Sequence, residues 1–545
     1  MLSTIFLHAG HLYATSIKLS DPSHFVAPLN FRFTPDGRYV LYNVGSELFS
    51  VPSTGGAPIR LAAIDVSVLG SYQLSTDGKY VVYSGTVNSG SRPPSIGLFS
   101  IPVDGSTPPV QLNLDVRFSG VDGFLVTPDG IRVIYVLDYE GLDQEDIYSV
   151  PITGPASASV KLSQRGTANR AVLQGISPDS SRVVYSLSNF FAATTQLYSV
   201  PATGPATARV LMSDHTSVSG ISGLEFSPDG SRVFYFDNAE PHWAAIKNLY
   251  SVPLLGSPST LVKLNGDLNT GDTVLNYAIS ADSSRAVYVL GERMTGGREL
   301  YSVPLSGPPG AGVRLTTNPP AGEIGKFTIS PDSSRVIYSL SNQQSGFGEL
   351  YSVPLAGPSA NAALLYRTAV LAGKVSSFEV SRDSRRVVFL ADQNTRNRPN
   401  FFSINATGPT GSAVRLNNDR TFGSESFGKS YYLTQDSRFV IYGSLSSSNQ
   451  IALYRVPIQG PASSNQSVDS VPITQSTEFK VMPGDDRILY RLTTPDLTPP
   501  FTPLSELFVA SIPAAPPPLG PTPQPSPSPS PEERPHRVYL PMLWR

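Results

Sequence analysis

The chain has 545 residues, a formal net charge of −2, no cysteine, and 15% charged against 40% hydrophobic residues. Without cysteine there are no disulfides, thiolate nucleophiles or Cys-ligated metals. Near-neutrality, with no basic cluster interleaved with aromatics, removes the long-range attraction that a nucleic-acid partner exploits, so none is expected.

In chain order, residues 1–20 lack the basic start and clean apolar core of a signal peptide. They read as the back half of a repeat unit, with Thr4–Leu7 and His11–Ala14 as strand fragments and Ile17-Lys18-Leu19 as a last strand. Because the sequence opens in mid-unit, the true start is expected upstream of Met1.

From Phe31 to Thr493 one unit recurs ten times at intervals of 41 to 53 residues. Its clearest copy reads Ile329-Ser-Pro-Asp-Ser-Ser-Arg-Val-Ile-Tyr338, then Glu349-Leu-Tyr-Ser-Val-Pro-Leu355. Pro presets the first corner of a turn and Asp accepts hydrogen bonds from the backbone two residues on. Each turn Asp has a Lys or Arg one to three residues downstream, as in Asp36/Arg38 and Asp332/Arg335. Nothing distinguishes one Asp–Arg pair from the next, which favours turn formation over ten active or metal sites. Gly37, Gly78, Gly130 and Gly230 follow the Asp, but Ser180, Ser283, Ser333, Ser384 and Ser437 stand there in other units. A left-handed backbone is therefore not expected to be required at that position.

The flanking segments alternate and are rich in Val, Ile, Tyr and Phe, which is strand composition. In unit seven they fall at about Lys326–Ser330, Arg335–Leu340, Glu349–Leu355 and Ala363–Tyr366. Four antiparallel strands per 40–50 residues is the blade of a β-propeller. The expected fold is therefore all-β, a propeller of about ten four-stranded blades. No linker separates any units, which favours one closed ring over two smaller fused propellers. Glu506–Ile512 is followed by Pro-rich sequence without a fourth strand, so the N-terminal strand is expected to complete the last blade.

The run Phe226-Ser-Pro-Asp-Gly-Ser-Arg-Val-Phe-Tyr235, with Asn248-Leu-Tyr-Ser-Val-Pro253 and Val262-Lys-Leu264, resembles the WD40-like (PD40) repeat of TolB-type propellers. Similar repeats occur in the propeller portions of tricorn-like and prolyl-oligopeptidase-like proteins. The resemblance covers about residues 31–513. It implies the fold more than the function, because the matching residues build turns and strands and the family ranges from partner binding to gating a separate hydrolase.

The expected organisation is a propeller over 1–513, a Pro/Ser-rich linker over 514–535 and a short apolar tag over 536–545. The linker is polyproline-like and disordered. The tag, Arg537-Val-Tyr-Leu-Pro-Met-Leu-Trp-Arg545, is too short to span a bilayer, and no transmembrane segment is expected. It is similar to the tails of many exported bacterial proteins, which implies export or surface sorting despite the missing signal peptide. The alternative is a tail with no role.

In a four-stranded blade the first-to-second and third-to-fourth turns share one face, and the other connections share the opposite face. The first class is monotonous here and the second varies, so function is expected on the variable face. Asp138, Glu140, Asp143, Glu145 and Asp146 crowd one loop with acidic oxygens, a candidate Ca²⁺ site. Their spacing matches no EF-hand, and a solvated acidic loop is the favoured reading. Phe190, Phe191, His242 and Trp243 place large side chains in loops that do not need them, as partner anchors or as packing over a blade edge. Arg396 and Arg398 are read as a solvated loop.

Enzyme signatures are missing. There is no Gly-x-Ser-x-Gly elbow, no His-Glu-x-x-His and no Gly-rich phosphate loop, and His8, His11, His24, His215, His242 and His536 are scattered. No cofactor is expected. The expected function is a non-catalytic, exported scaffold that grips a protein partner on the variable face. The alternatives are a small-ligand or glycan binder using the central channel, or a propeller hydrolase of glycosidase or lactonase type with no nameable catalytic residue.

Overall fold

A computed structural model describes residues 17–20 and 29–512, except 63–65, 88–94, 115–118, 140–143, 165–169, 190–193, 216–219, 239–246, 269–270, 292–296, 309, 317–321, 343–345, 394–398, 418–430, 446–450, 472–478 and 495–503. Pro513–Arg545 forms a separate unit and lies outside the described residues.

Ten four-stranded antiparallel sheets follow one another, nine of them with their strands in sequence order. Blade 7 is built from Gly322–Ile329, Arg335–Asn342, Phe347–Pro354 and Ala363–Arg367, close to the sequence expectation. Blade 10 takes Phe479–Val481, Arg487–Thr494 and Leu504–Ser511 from the end of the propeller and its fourth strand, Ile17–Lys18, from the beginning. Ile17 lies opposite Val509 and Lys18 opposite Phe508.

Alternate residues of every strand point to opposite faces, and both faces are apolar, so each blade is covered by two neighbours. The core divides into clusters that straddle consecutive blades. Blades 1 and 2 share Leu41, Leu48, Tyr72 and Val81, for example, and blades 7 and 8 share Ile337, Leu350, Phe378 and Val387. One cluster joins Phe31, Phe33 and Tyr42 of blade 1 to Met482, Leu489 and Leu507 of blade 10. The chain thus closes as a single ten-bladed ring. Within each blade an aromatic of the second strand stacks on one directly opposite in the third. Tyr42 on Phe49, Tyr135 on Tyr148, Tyr338 on Tyr351 and Tyr490 on Phe508 have ring centroids 5.2–5.8 Å apart. Such pairs contribute about 0.5–1.5 kcal/mol each beyond burial.

The Pro-Asp turn is organised by the residue before the Pro. In blade 7 the Ser330 hydroxyl donates to Asp332 Oδ1 at 2.6 Å and accepts the Arg335 N–H at 3.0 Å, while Asp332 Oδ1 accepts the Ser334 N–H at 3.0 Å. Thr34, Ser75, Thr127, Ser177, Ser227, Ser280, Ser381 and Thr434 do the same in other blades, all buried. The hydroxyls of Ser177 and Ser227 hold the carboxyls of Asp179 and Asp229 below the usual carboxylate range.

The expectation about the residue after the Asp is corrected. Ser180, Ser283, Ser333, Ser384 and Ser437 adopt φ of 57–63°, the same left-handed backbone as Gly37 and Gly230. Left-handed geometry costs an L-residue about 1–2 kcal/mol. Each of these serines offsets that cost across the seam, because its hydroxyl accepts the N–H of the preceding blade's turn Asp. The distances run from 2.9 to 3.1 Å for Asp129 to Ser180, Asp229 to Ser283, Asp282 to Ser333, Asp332 to Ser384 and Asp383 to Ser437.

The basic residue after the Asp also resolves into two kinds. An Arg that starts the second strand reaches a buried third-strand Ser, as Arg132 Nε does to Ser149 Oγ at 2.7 Å and Arg335 Nε to Ser352 Oγ at 2.6 Å. Arg38 and Lys79 sit one position earlier and are exposed, beside Asp36 and Asp77. In their blades the hydroxyls of Ser50 and Ser100 are buried without a partner among the described residues.

Two substitutions separate the strain from the latch. Ser333→Ala keeps the left-handed cost and loses the bond, so it is expected to lower unfolding stability by about 1 kcal/mol. Ser333→Gly loses the same bond but relaxes the backbone, and urea denaturation is expected to place it between Ala and wild type. An alanine variant as stable as wild type contradicts the latch.

Candidate functional site: variable face and axial channel

The two faces of the ring differ in how freely their connections vary. First-to-second turns are five residues long in all ten blades, from 34–38 in blade 1 to 482–486 in blade 10. Third-to-fourth turns stay between six residues (53–58) and eight (152–159). On the opposite face, second-to-third hairpins run from Gly45-Ser46 to 495–503, and fourth-to-first connections from 61–65 to 416–430. The first face cannot vary, because its hydroxyls and carboxylates hold the turns and seams.

The aromatic candidates belong to the variable face by strand order. Phe190 and Phe191 fall between Arg182–Asn189 and Thr194–Pro201, and His242 and Trp243 between Arg232–Asn238 and Lys247–Pro253. All four lie outside the described residues, as do Glu140, Asp143, Arg396 and Arg398.

Of the acidic group, Asp138, Glu145 and Asp146 are described, and strand alternation divides them. Asp138 and Glu145 are directly opposite across the second and third strands of blade 3. Asp146, one residue on, points to the other side. It is 1% exposed and accepts Lys161 Nζ at 2.8 Å and Ser163 Oγ at 2.9 Å from its own fourth-strand segment. Glu145 accepts Arg170 Nε of blade 4 at 2.9 Å. Burial pushes the Glu145 carboxyl above its ordinary pKa, against the pull of Arg170. Two of the five carboxylates are thus engaged by cations, and among the described residues no three His, Asp or Glu converge to hold a metal. The partner of Asp146 was written in the repeat itself, as the Lys of Val160-Lys161-Leu162.

The first strands of neighbouring blades touch one another and so line the axis. Arg32 Nη2 donates to the Tyr72 carbonyl at 2.7 Å, Gln73 Nε2 to the Phe124 carbonyl at 2.9 Å, and Lys326 Nζ to the Phe378 carbonyl at 3.0 Å. Arg32 also stacks over the Tyr72 ring, 4.4 Å from its centroid. Burial raises the Tyr72 hydroxyl to a pKa of about 12, against the lowering influence of Arg32. Apolar first-strand residues such as Phe31, Tyr277 and Phe378 pack toward the preceding blade. Alternate positions carry Arg32, Glu225, Lys326, Glu379 and Lys480, exposed or half-buried although they sit on the innermost strands. Glu225 and Glu379 occupy the same repeat position, two residues before the turn Ser, three blades apart. These groups give the channel a polar wall of mixed sign. Sequence reasoning missed them, since a charge in an alternating strand looks like an ordinary solvent-facing position. The usable signal was the recurrence of Arg32, Glu225, Glu379 and Lys480 two residues before the start of the turn.

Although Glu225 as a residue is exposed on the channel wall, partial desolvation of its carboxyl pushes it above its ordinary value. The folded state therefore holds this proton at pH values where the unfolded chain, with a pKa of about 4.3, has released it. The contribution to stability is fully present below that pH and is lost as pH rises through the folded value. Glu225→Gln is expected to flatten this decline in a pH series of thermal midpoints, and an unaltered slope contradicts the assignment.

Among the described residues no helix is long and apolar enough to cross a membrane. No protein-family model matches the chain, and no curated protein matches it in sequence. Among solved structures it is similar to a eukaryotic initiation factor, at 14% identity over 74% of this chain and 91% of that one, with a TM-score of 0.47. It is also similar to a prolyl endopeptidase (11% identity, 72% and 55% of the two chains, TM-score 0.34) and to prolyl oligopeptidase B from Galerina marginata (12%, 72% and 55%, 0.36). The chain spans just over half the length of these peptidases. At this identity the likeness concerns the propeller fold and carries no argument about activity.

Proposed function

We propose that this chain is a non-catalytic scaffold that grips a protein partner with the variable face of its ring. The observation that carries the reading is the segregation of variation. Ten turns keep one length, nine of them using a Ser or Thr hydroxyl and the turn Asp to hold themselves, while connections of two to fifteen residues are confined to the other face. Loops on a rigid frame are where binding specificity resides, and large aromatics such as Phe190, Phe191 and Trp243 are the residue types that anchor interfaces. The repeat is read as a WD40-like repeat of the TolB type, and the tail after the propeller as a sorting address that places the scaffold outside the cell.

A second reading has its own support in the channel wall. Arg32, Glu225, Lys326 and Glu379 suit a small polar ligand such as a glycan.

Affinity capture from the native envelope fraction tests the first reading, with the wild-type chain beside a variant carrying Ser at positions 190, 191, 242 and 243. A partner held by wild type and lost by the variant is the expected result. Failure of both to retain a specific partner, with a sugar raising the thermal midpoint instead, overturns the scaffold in favour of the channel.

A further inference from the structure

The fourth strands of the blades are only a few residues long, yet their sequences repeat: Ile59-Arg-Leu61, Val160-Lys-Leu162, Val262-Lys-Leu264, Val313-Arg-Leu315, Val414-Arg-Leu416. The structure shows what these positions do. The first residue pairs with the third strand, as Val160 does with Ser149. In three of these blades the basic residue meets a third-strand acid: Arg60 lies 2.9 Å from Glu47, Lys161 2.8 Å from Asp146 and Arg314 2.7 Å from Glu299, whereas Lys263 meets Asp267 at 3.3 Å. The Leu is fully buried, and its N–H donates to a third-strand carbonyl, as Leu162 does to Ile147 at 2.7 Å. Where the next residue is Ser163, Asn265 or Asn417, its side chain accepts the N–H of that same third-strand residue. Ser163 Oγ accepts from Ile147 at 3.0 Å, Asn265 Oδ1 from Leu249 at 2.8 Å and Asn417 Oδ1 from Phe401 at 2.9 Å.

Ile17-Lys18-Leu19-Ser20 reproduces in blade 10 all four contacts that Val160-Lys161-Leu162-Ser163 makes in blade 3. Lys18 pairs with Glu506, the Leu19 N–H donates to the Leu507 carbonyl at 2.8 Å, and Ser20 Oγ accepts the Leu507 N–H at 3.0 Å. Leu19 is 1% exposed, in the cluster that holds Leu507, Val509 and Met482. The difference is connectivity. In the other blades a turn of six to eight residues ties this segment to its third strand, whereas Lys18 and Glu506 are 488 residues apart. The segment is therefore recognised at blade 10 by its side chains and backbone, without a turn to place it.

We propose that the outer edge of blade 10, Leu504–Ser511, is a binding site for an extended peptide segment reading Val/Ile–Lys/Arg–Leu–Ser/Asn, occupied in this structure by the chain's own residues 17–20. Recognition is by strand addition: main-chain bonds at Leu507 supply affinity, and the Glu506 carboxylate and the Leu19 pocket supply specificity. A partner protein carrying such a segment displaces the internal one and completes the ring in its place. The internal strand competes at an effective concentration on the order of millimolar, so the site is guarded until that strand is weakened or outcompeted. This edge lies at the rim of the ring and is independent of the variable-face reading.

A fluorescein-labelled peptide of residues 15–22, titrated into the full chain and followed by anisotropy, tests the proposal. The peptide is expected to bind the Leu19→Ala chain at least tenfold more tightly than wild type, and a scrambled peptide is expected not to bind. Adding Glu506→Lys is expected to weaken the peptide at least tenfold, with rescue by a peptide carrying Lys18→Glu. Absence of saturable binding to a Leu19→Ala chain with wild-type near-UV circular dichroism overturns the site, as does indifference to Glu506→Lys. Should Leu19→Ala fail to fold, the unmodified chain decides: a peptide with a photo-crosslinker at position 18 is expected to label residues 504–511, and labelling elsewhere or none overturns the proposal.

Discussion

A four-stranded sheet that is apolar on both faces has no stable solution alone, and every other feature of this molecule answers that constraint. Each blade must lie against two neighbours at a fixed offset, and the five-residue turn sets the offset. A buried Ser or Thr ties the turn Asp and the start of the next strand together. In half of the blades a left-handed Ser then takes the N–H of the turn before it. The seam is thus held by apolar packing across its width and by a directional bond at its rim. At the five seams that carry it, this bond fixes one turn against the next at 2.9–3.1 Å.

Where a blade departs from the pattern, its neighbours absorb the change. Blade 9 exchanges the two members of the Arg–Ser pair for Phe439 and Arg455, and the guanidinium stacks on the ring, 4.6 Å from its centroid. Blade 10 has Met482 where the turn hydroxyl should be and Val509 where the third-strand Ser should be. Arg487 turns instead to Ser53 of blade 1, at 2.7 Å, and Met482 packs beneath Gly37. These departures fall where the last blade meets the first, so the seam with no chain continuity acquires contacts of its own. Ser50 and Ser100 mark blades where the exchange is incomplete and a hydroxyl is left over.

The period, the four strands per unit and the closure by Ile17–Lys18 were legible in the sequence, because each is a local pattern repeated until chance is excluded. The seams were less so. Ser333 looked permissive beside Gly230, since a sequence cannot show that its hydroxyl meets a backbone N–H 51 residues away. Arg38 and Arg335 looked equivalent, and only strand pleating shows that one faces solvent and the other a buried Ser. The acidic group at 138–146 read as one cluster because proximity in sequence was taken for proximity in space. Alternation instead sends Asp146 to Lys161 and Glu145 to Arg170. The channel charges escaped notice for the opposite reason: Arg32, Glu225 and Glu379 are far apart in sequence, and only ring closure gathers them on one wall.

One face of the ring is thus committed to architecture and the other is left to diverge, and the axis between them is polar. That division rests on a single closed ring, since two smaller rings would carry two axes and a different set of seams. Electron microscopy of the purified chain, viewed down the axis, is the most direct test. The account predicts ten lobes around one channel, with blade 10 against blade 1. Two rings side by side, or an open arc with a gap between those blades, would contradict it.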